Sequence, residues 1–286
     1  MTLAVGFFDG VHLGHRRILA GADAVLTFQN HPLSVICPSA APPLLMTASE
    51  RISLLKTAGA KVSRTVHAVR FTKKFASMPP EEFIAFLKCE FPELKKVQCG
   101  ANWRFGAGGV GTPQMLKKYG IPVKVSRYVT SGDGAVSSTR IRTALSEGDI
   151  ELANAMLGRR FSVSGKIVSG KGVGNRIGSP TLNLEVSPPL KLGVYAVDTP
   201  FGRGVANYGI APTMGADSWQ KPVLEVHLLD VLDGGRIPSQ GMMKVEFLKF
   251  LRPERKFKTT NALRKQIAAD IAAARSCVNL TAFCIR

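Results

Sequence analysis

The sequence predicts an α/β domain with a parallel sheet, followed by an antiparallel β-domain that ends in a helix. In the first half, short apolar runs typical of buried strands alternate with segments of helical periodicity. In the second half, closely spaced strand-like runs are separated by glycine and proline, which is typical of a barrel or a sandwich. With 286 residues, the chain is long enough for two domains.

The elements of the first half follow from apolar runs and capping residues. Strands are predicted over Leu3–Val5, Ala24–Phe28, Lys96–Cys99 and Val123–Val125. Helices are predicted over His15–Ala20, Ala48–Ala58, Pro79–Leu87 and Gln114–Tyr119. Thr47 is expected to cap the second of these helices, and Pro80 suits the first turn of the third. The crossover between the first two strands is close to the shortest that joins parallel strands.

The second half begins with helices and continues with strands. Helices are predicted after Ser137-Ser138-Thr139 and over Ile150–Leu157, where Gly158 ends the second helix. Strands are predicted over Phe161–Val168, Val194–Asp198, Gly204–Tyr208, Val223–Leu229 and Met243–Phe250. A final amphipathic helix is expected from Asn261 to Ser276. The domain boundary is placed near Leu157, which gives domains 1–157 and 158–286.

Composition limits the classes of partner and compartment. The net charge of +18 favours anionic partners: nucleotides, nucleic acid or acidic membrane surfaces. The basic residues are dispersed, so nucleic acid is not expected, and no apolar run is long enough to predict a membrane span. Five cysteines without a C-x-x-C pair predict free thiols in a reducing cytoplasm. The oligomeric state stays open, with a transient homo-oligomer among the alternatives.

The segment after the first strand is rich in glycine and histidine, and reads Gly6-Phe7-Phe8-Asp9-Gly10-Val11-His12-Leu13-Gly14-His15. Glycines allow close approach of the backbone, and the following helix start offers unpaired N–H groups to a phosphate. His12 and His15 are candidates to stabilise the charge of a phosphoryl group during transfer. The alternative is a glycine-rich turn with one buried and one exposed histidine, and the segment alone does not decide between them.

Three more segments of the first half place polar residues at predicted strand ends or helix starts. The first, Thr27–Pro32, contains His31 at the edge of the sheet where ligands bind. The second is a loop whose side chains suit a flat heterocycle with a phosphate: Asn102, Trp103 and Arg104. The third offers hydroxyls and N–H groups at a helix start: Ser137, Ser138, Thr139 and Arg142. The structural alternatives are a turn, an arginine stacked on tryptophan, and ordinary capping.

Together, the four segments resemble the FMN adenylyltransferase domain of bacterial bifunctional riboflavin kinase/FAD synthetases, whose motifs are G-x-F-D-G-V-H-x-G-H, T-F-x-x-H-P, G-x-[DN]-[FW]-R-F-G and S-S-T-x-I-R. All four occur in this order. The resemblance implies a Rossmann-like nucleotidyltransferase domain that transfers AMP from ATP to FMN and releases pyrophosphate. It implies ATP contacts from Gly6, Phe7, Asp9, Gly10, His12, His15, Ser137, Ser138, Thr139 and Arg142. It implies flavin contacts from His31, Asn102 and Arg104.

The second half is similar to the riboflavin kinase domain of the same family. The similar segments are Gly178–Leu184, Gly193–Ala196, Asn207–Gly209, Leu224–Asp230 and Phe247–Arg252. The similarity implies an antiparallel β-barrel with a terminal helix, in which Glu225 is the catalytic base for the ribityl 5′-hydroxyl of riboflavin. It implies flavin contacts from Asn207 and Arg252, and Mg²⁺ and phosphate ligands at Thr181 and Asn183. It also implies a nucleotide loop containing Gly170, Lys171, Gly172 and Gly174.

The predicted function is therefore a bifunctional synthesis of flavin cofactors: riboflavin and ATP give FMN, and FMN and ATP give FAD. The kinase half departs from the family pattern at positions that include Asn175, Ser179 and Ala211. A second hypothesis is therefore an adenylyltransferase with a weakened or inactive kinase domain. A third is a basic nucleotide- or RNA-binding protein on the same fold, which exposed aromatic residues among a clustered basic face would favour.

Overall fold

A computed structural model describes residues 1–58, 64–168, 181–210, 222–229 and 240–277. The chain divides into two units, Met1–Ser138 and Thr139–Arg286. The predicted parallel sheet and antiparallel β-domain are both confirmed, one in each unit. The division precedes two helices that the predicted boundary assigns to the first domain; the domain limits 1–157 and 158–286 stay a prediction.

The first unit is built on a parallel sheet of five strands: β1 (Thr2–Val5), β2 (Ala24–Phe28), β3 (Thr65–Val69), β4 (Lys96–Gly100) and β5 (Val123–Ser126). Their order in the sheet is β3-β2-β1-β4-β5. Strand β1 therefore has β2 on one side and β4 on the other, and the strand order switches at this point. Ligands of open α/β sheets bind at the carboxyl ends of strands beside such a switch. The loop after β1 thus begins at the expected place for a site.

Helices cover both faces of this sheet: α1 (Leu13–Leu19), α2 (Leu33–Ile36), α3 (Ala48–Thr57), α4 (Lys73–Ala76), α5 (Pro80–Glu90) and α6 (Pro113–Lys118). On one face, Leu3 packs in a cluster with Phe83 of α5. On the other face, Ala4 packs in a cluster with Leu19 of α1 and Leu55 of α3. Successive residues of β1 point to opposite faces, so a strand buried on both sides is apolar throughout.

Some elements of the first unit differ from the prediction. Strand β3 was missed because it is a partly exposed edge strand in which His67 interrupts the apolar residues. A small hairpin of β6 (Thr130–Ser131) and β7 (Gly134–Ala135) was also missed, as were the one-turn helices α2 and α4. Helix α1 begins before the predicted His15, because the preceding His12 caps it. The predicted cap of α3 is confirmed, since Thr47 and Glu50 form a reciprocal capping box.

The second unit contains two helices, six strands and a final helix in its described residues. These elements are α7 (Ser138–Glu147), α8 (Ile150–Leu157), β8 (Phe161–Val168), β9 (Thr181–Glu185), β10 (Gly193–Thr199), β11 (Gly202–Ile210), β12 (Pro222–Leu228), β13 (Met242–Arg252) and α9 (Thr260–Ser276). Asp149 caps α8, and Gly158 ends it in a left-handed conformation, with a φ of 63°. Strand β9 was missed by the prediction because Thr181 and Asn183 interrupt its apolar residues.

The six strands close an antiparallel barrel in the order β10-β11-β12-β9-β8-β13. The sequence left a barrel and a sandwich open, and the pairing of β13 with β10 decides for the barrel. Alternate residues of β12 point inward, so Leu224 and Val226 are buried while Glu225 is exposed. Helix α9 packs against β10, β11 and β13. The outer face of the barrel beside α9 is therefore available to polar side chains.

Candidate active sites

The loop between β1 and α1 has an unusual backbone. Phe8 and Val11 have φ angles of 59° and 40°, and Gly10 has a φ of 78°. Residues other than glycine are rare in this left-handed region, and each one held there costs about 1–3 kcal/mol of stability. Such conformations cluster at functional sites because the surrounding structure must hold them in place. The strained turn therefore supports the prediction of a ligand-binding loop.

The two histidines of this loop form a stacked pair at the start of α1. The imidazole centroids of His12 and His15 lie 3.5 Å apart, with an angle of 17° between the rings. Nδ1 of His12 accepts a hydrogen bond from the His15 backbone N–H at 3.2 Å. A nitrogen that accepts carries no proton, so neutral His12 keeps its proton on Nε2 as a donor. The pair thus combines a side-chain donor with the positive end of the helix dipole.

A cavity of about 260 Å³ brings several predicted residues together. Its lining includes Gly6, Phe7, His12, His15, Asn102, Ser137 and Ser138. The hydroxyl of Ser138 also donates to the carbonyl of Asp9 at 2.9 Å, which ties the serine loop to the glycine–histidine loop. Sequence reasoning missed the residues that follow β5 and line the same cavity: Ser126, Arg127, Tyr128 and Val129. Their position at a strand end was the only available signal.

Three other predicted residues of the first unit, Asp9, Gly10 and Arg104, are not among those that line this cavity. Asp9 is buried, and its carboxylate accepts a hydrogen bond from the Leu45 N–H, with N–O distances of 3.1 and 3.2 Å. Gly10 is buried in the turn. The Arg104 guanidinium donates to the carbonyl of Trp103 at 2.9 Å. Asp9 and Gly10 are thus buried parts of the loop. Their contacts with ATP stay predictions, as does the contact of Arg104 with flavin.

His31 lies on the loop after β2. Its Nδ1 accepts a hydrogen bond from the Leu33 N–H at 3.1 Å, and its ring centroid lies 4.6 Å from that of Phe7. The predicted flavin residue therefore touches a residue that lines the cavity. Thr139 and Arg142 lie on α7, in the second unit, and their predicted contacts with ATP stay predictions.

The strand register of the barrel assembles a second site on its outer face. Glu225 of β12 lies opposite Asn207 of β11 and opposite Asn183 of β9. On the other side of Asn207, the row continues with Val194 of β10, which lies opposite both Asn207 and Arg252 of β13. Four residues that the sequence assigns to the kinase site, each from a different strand, thus lie in one row across the barrel.

A cavity of about 400 Å³ lies between this row and helix α9. The predicted residues that line it are Thr181, Asn207, Glu225 and Arg252. Arg252 forms a forked ion pair with Asp270 of α9, with N–O distances of 2.8–3.1 Å. Asp270 is buried, so this pair fixes the helix to the barrel.

Two residues of this cavity were not predicted. His227 lies opposite Thr181, two residues along β12 from Glu225, and burial lowers the pKa of its imidazole. Glu254 accepts a hydrogen bond from the Asn207 amide at 3.2 Å. Both residues occur within or beside segments similar to the kinase domain, and only the folded barrel places them with Glu225.

The oxygen-bearing side chains of this site suit Mg²⁺. Among the residues described, no group of three or more His, Cys, Asp and Glu side chains is arranged to hold a metal. Mg²⁺ keeps waters and phosphate oxygens among its ligands and needs few from the protein. Thr181 and Asn183 point outward on β9 beside Glu225, so the available donors fit the ion. The predicted nucleotide loop with Gly170, Lys171, Gly172 and Gly174 lies outside the described residues, as do Asn175, Ser179 and Ala211.

Fold and sites together define a two-part nucleotide-dependent transferase, with a Rossmann-like unit and a barrel unit. Residues 1–140 match the FAD synthetase family and residues 157–278 match the riboflavin kinase family. The chain belongs to the family of bifunctional riboflavin kinases/FMN adenylyltransferases.

Relatives extend over almost the whole chain. The bifunctional riboflavin kinase/FMN adenylyltransferase of Escherichia coli K12 is 35% identical over 98% of this chain and 93% of its own length. That of Bacillus subtilis is 33% identical over 94% of this chain and 90% of its own. A crystal structure described as a macrolide-efflux protein from Streptococcus pneumoniae has a TM-score of 0.80 and 27% identity, covering 96% of this chain and 93% of that one. In the part of this chain that the structure describes, no helix has the length and apolar character of a membrane span.

Proposed function

We propose that the barrel site phosphorylates riboflavin to FMN and that the Rossmann-like site converts FMN to FAD. The chain belongs to the bifunctional family and contains both of its domains, so it is a kinase and an adenylyltransferase. The observation that carries the assignment of the kinase site is the strand register that sets Glu225 between Asn207 and Asn183. A lone glutamate on a strand is ordinarily a solvated side chain, whereas this one lies between two amide residues in the strand register and lines a cavity.

In the kinase step, the ribityl 5′-hydroxyl of riboflavin loses its proton to the carboxylate of Glu225. Its oxygen attacks the γ-phosphorus of ATP, and ADP leaves. Asn207 and Arg252 bind the flavin, while Thr181 and Asn183 hold Mg²⁺ and phosphate oxygens. When bound, Mg²⁺ supplies positive charge to the phosphates.

In the adenylyl step, a phosphate oxygen of FMN attacks the α-phosphorus of ATP, and pyrophosphate leaves. No covalent intermediate with the protein is needed. His12 and His15 donate hydrogen bonds to the charge that develops on the phosphate oxygens. Backbone groups of the glycine–histidine loop bind ATP, and Ser137, Ser138, Thr139 and Arg142 bind the leaving pyrophosphate. The flavin side is formed by His31, Asn102 and Arg104.

We also propose the domain limits, the partners and the cellular location of the chain. The domains are 1–157 for the adenylyltransferase and 158–286 for the kinase. The partners are small molecules: ATP, riboflavin and FMN. A cytoplasmic location is supported by the free thiols of Cys37, Cys89, Cys99 and Cys277.

Product analysis tests both halves. The purified chain is incubated with riboflavin, ATP and Mg²⁺, and flavins are separated by chromatography; a second incubation starts from FMN. We expect FMN followed by FAD in the first incubation and FAD in the second. FAD from FMN without any conversion of riboflavin would identify an adenylyltransferase with an inactive kinase domain. The absence of product in both incubations would overturn the proposal.

A further inference from the structure

Arg51 of α3 is completely buried, with 0% of its surface exposed. It lies next to Glu50, which forms the capping box at the start of the helix. Arginine normally keeps its guanidinium in water even where its methylene groups are covered. The burial of this side chain therefore requires an explanation beyond the amphipathic pattern of the helix.

The guanidinium of Arg51 touches both loops of the adenylyltransferase site. Its Nη2 donates to the backbone carbonyl of Phe28 and, at 3.2 Å, to that of Gln29. These carbonyls begin the loop that leads to His31. Its Cζ lies 4.0 Å from the ring centroid of Phe7, which belongs to the glycine–histidine loop. One cation thus joins the end of β2 to the turn after β1.

Phe7 extends this contact to the predicted flavin side. Its ring meets the imidazole of His31 edge to face, with centroids 4.6 Å apart and an angle of 79°. Phe7 also lines the cavity with His12 and His15, whereas Arg51 is not among the lining residues. Arg51 therefore reaches the site through Phe7 and through the backbone carbonyls of Phe28 and Gln29.

The energetics argue against a purely space-filling role. Burial lowers the pKa of the Arg51 guanidinium, and the nearby Asp9 carboxylate opposes this shift. Within the described part of the chain, Nε and Nη1 of Arg51 have no hydrogen-bond partner. Buried charge that is incompletely paired is costly, and an apolar side chain of similar volume is often at least as stabilising. The charge and planarity of Arg51 thus need another reason, which the two loops supply.

We propose that Arg51 is a positioning residue for FMN adenylylation, because it fixes the position of the glycine–histidine loop relative to the loop after β2. The proposal rests on the proposed function of this site. Nucleotide and flavin reach the reaction from these two loops, and their alignment determines the attack on the α-phosphorus. Misplacement of reacting groups by about 1 Å costs about 100-fold in rate.

The test compares Arg51→Met and Arg51→Lys with the matched control Arg64→Met. Arg64 is likewise buried, and its Nε and Nη1 also lack hydrogen-bond partners among the described residues. It directly precedes β3 and so lies at the amino-terminal ends of the parallel strands, whereas the site loops follow their carboxyl ends. For each full-length variant, kcat and KM are measured for FMN and ATP in FAD formation, together with riboflavin phosphorylation and thermal unfolding.

We expect Arg51→Met to lower kcat for FAD formation about 10- to 100-fold and to raise KM for FMN. Arg51→Lys keeps the charge without the planar stack, so it is expected to recover part of the loss. Arg64→Met is expected to lower the unfolding temperature while retaining wild-type kcat. If Arg51→Met does not fold, Arg51→Lys alone decides by its split between kcat and KM.

A wild-type kcat in folded Arg51→Met, or in Arg51→Lys if only that variant folds, would overturn the inference. An equal loss of kcat in Arg64→Met would do so as well. A wild-type chain that makes no FAD would instead overturn the proposed function, so the two failures are distinguishable. A double-mutant cycle with Phe7→Leu adds a direct check. If Arg51 acts through Phe7, the losses in kcat are less than multiplicative, and fully multiplicative losses contradict that route.

Discussion

His12 stacks on His15 and accepts a hydrogen bond from its backbone N–H, so one side chain both caps α1 and lines the cavity of the first unit. Capping and catalysis are usually divided between residues, since cap positions favour Ser, Thr, Asn and Asp. Here the proposed catalytic imidazole is also the cap, because Nδ1 accepts from the backbone and leaves Nε2 as the donor. The two roles are therefore separable by substitution.

His12→Asn separates these roles. Asparagine preserves an acceptor for the cap but removes the imidazole donor, so we expect FAD formation from FMN to fall about 100- to 1,000-fold. Riboflavin phosphorylation and the thermal unfolding of the chain are expected to stay close to wild type. The control is His67→Asn, since His67 lies on β3 against Phe91. Comparable loss of FAD formation in that control would contradict a specific role of His12.

Glu225→Gln tests the kinase base. The amide keeps the size of the side chain but accepts no proton, so FMN formation is expected to fall about 100- to 10,000-fold. FAD formation from supplied FMN is expected to be unchanged. The exposed Glu185 on β9 is the matched control, and Glu185→Gln is expected to retain kinase activity. Equal loss of both activities in Glu225→Gln would show that the two sites are not independent.

The ion pair between Arg252 and Asp270 is expected to stabilise the attachment of α9 to the barrel. Asp270→Asn leaves a largely buried guanidinium without its counterion, so the free energy of unfolding is expected to fall by about 3 kcal/mol. Urea unfolding monitored by circular dichroism measures this change. The exposed pair of Glu151 and Lys249 is the comparison, and Glu151→Gln is expected to cost less than about 1 kcal/mol. Similar losses in the two variants would contradict the special role of the buried pair.

His227 is expected to make the stability of the barrel depend on pH. Burial lowers the pKa of its imidazole in the folded state, so the unfolded chain binds the proton more readily. Stability is therefore fully present above the ordinary histidine pKa of about 6.5 and declines as the pH falls below it. His227→Gln is expected to flatten the decline in unfolding temperature between about pH 7 and pH 5. An unchanged slope in this variant would show that other groups cause the decline.

Much of the fold was predictable because it is encoded by local patterns. Strand β2 and helix α8 have the predicted limits, since each is bounded by clear turn or capping residues. The glycine–histidine loop was recognisable because its residues are contiguous. Strand β9 was not predicted, because its polar residues, which belong to the candidate site, interrupt the apolar pattern.

The remainder of the sites depends on contacts between distant residues. Arginine is the residue type expected at an exposed helix position, and only the packing of α3 against the sheet reveals that Arg51 is buried. Glu225 likewise gains its meaning from Asn207 and Asn183, which come from other strands. Without the family resemblance, no property of the linear sequence distinguishes it from a solvated glutamate.

The alternation of inward and outward residues along β12 has an evolutionary consequence. A single residue inserted directly before Glu225 would shift the rest of the strand by one position, so that its carboxylate would turn into the apolar interior and Val226 would come to the surface. Such an insertion would remove the proposed base and disrupt the core in one event. Relatives of this enzyme can therefore gain or lose residues in the connections between strands. Within β12, a change by an odd number of residues would exchange its inward and outward faces.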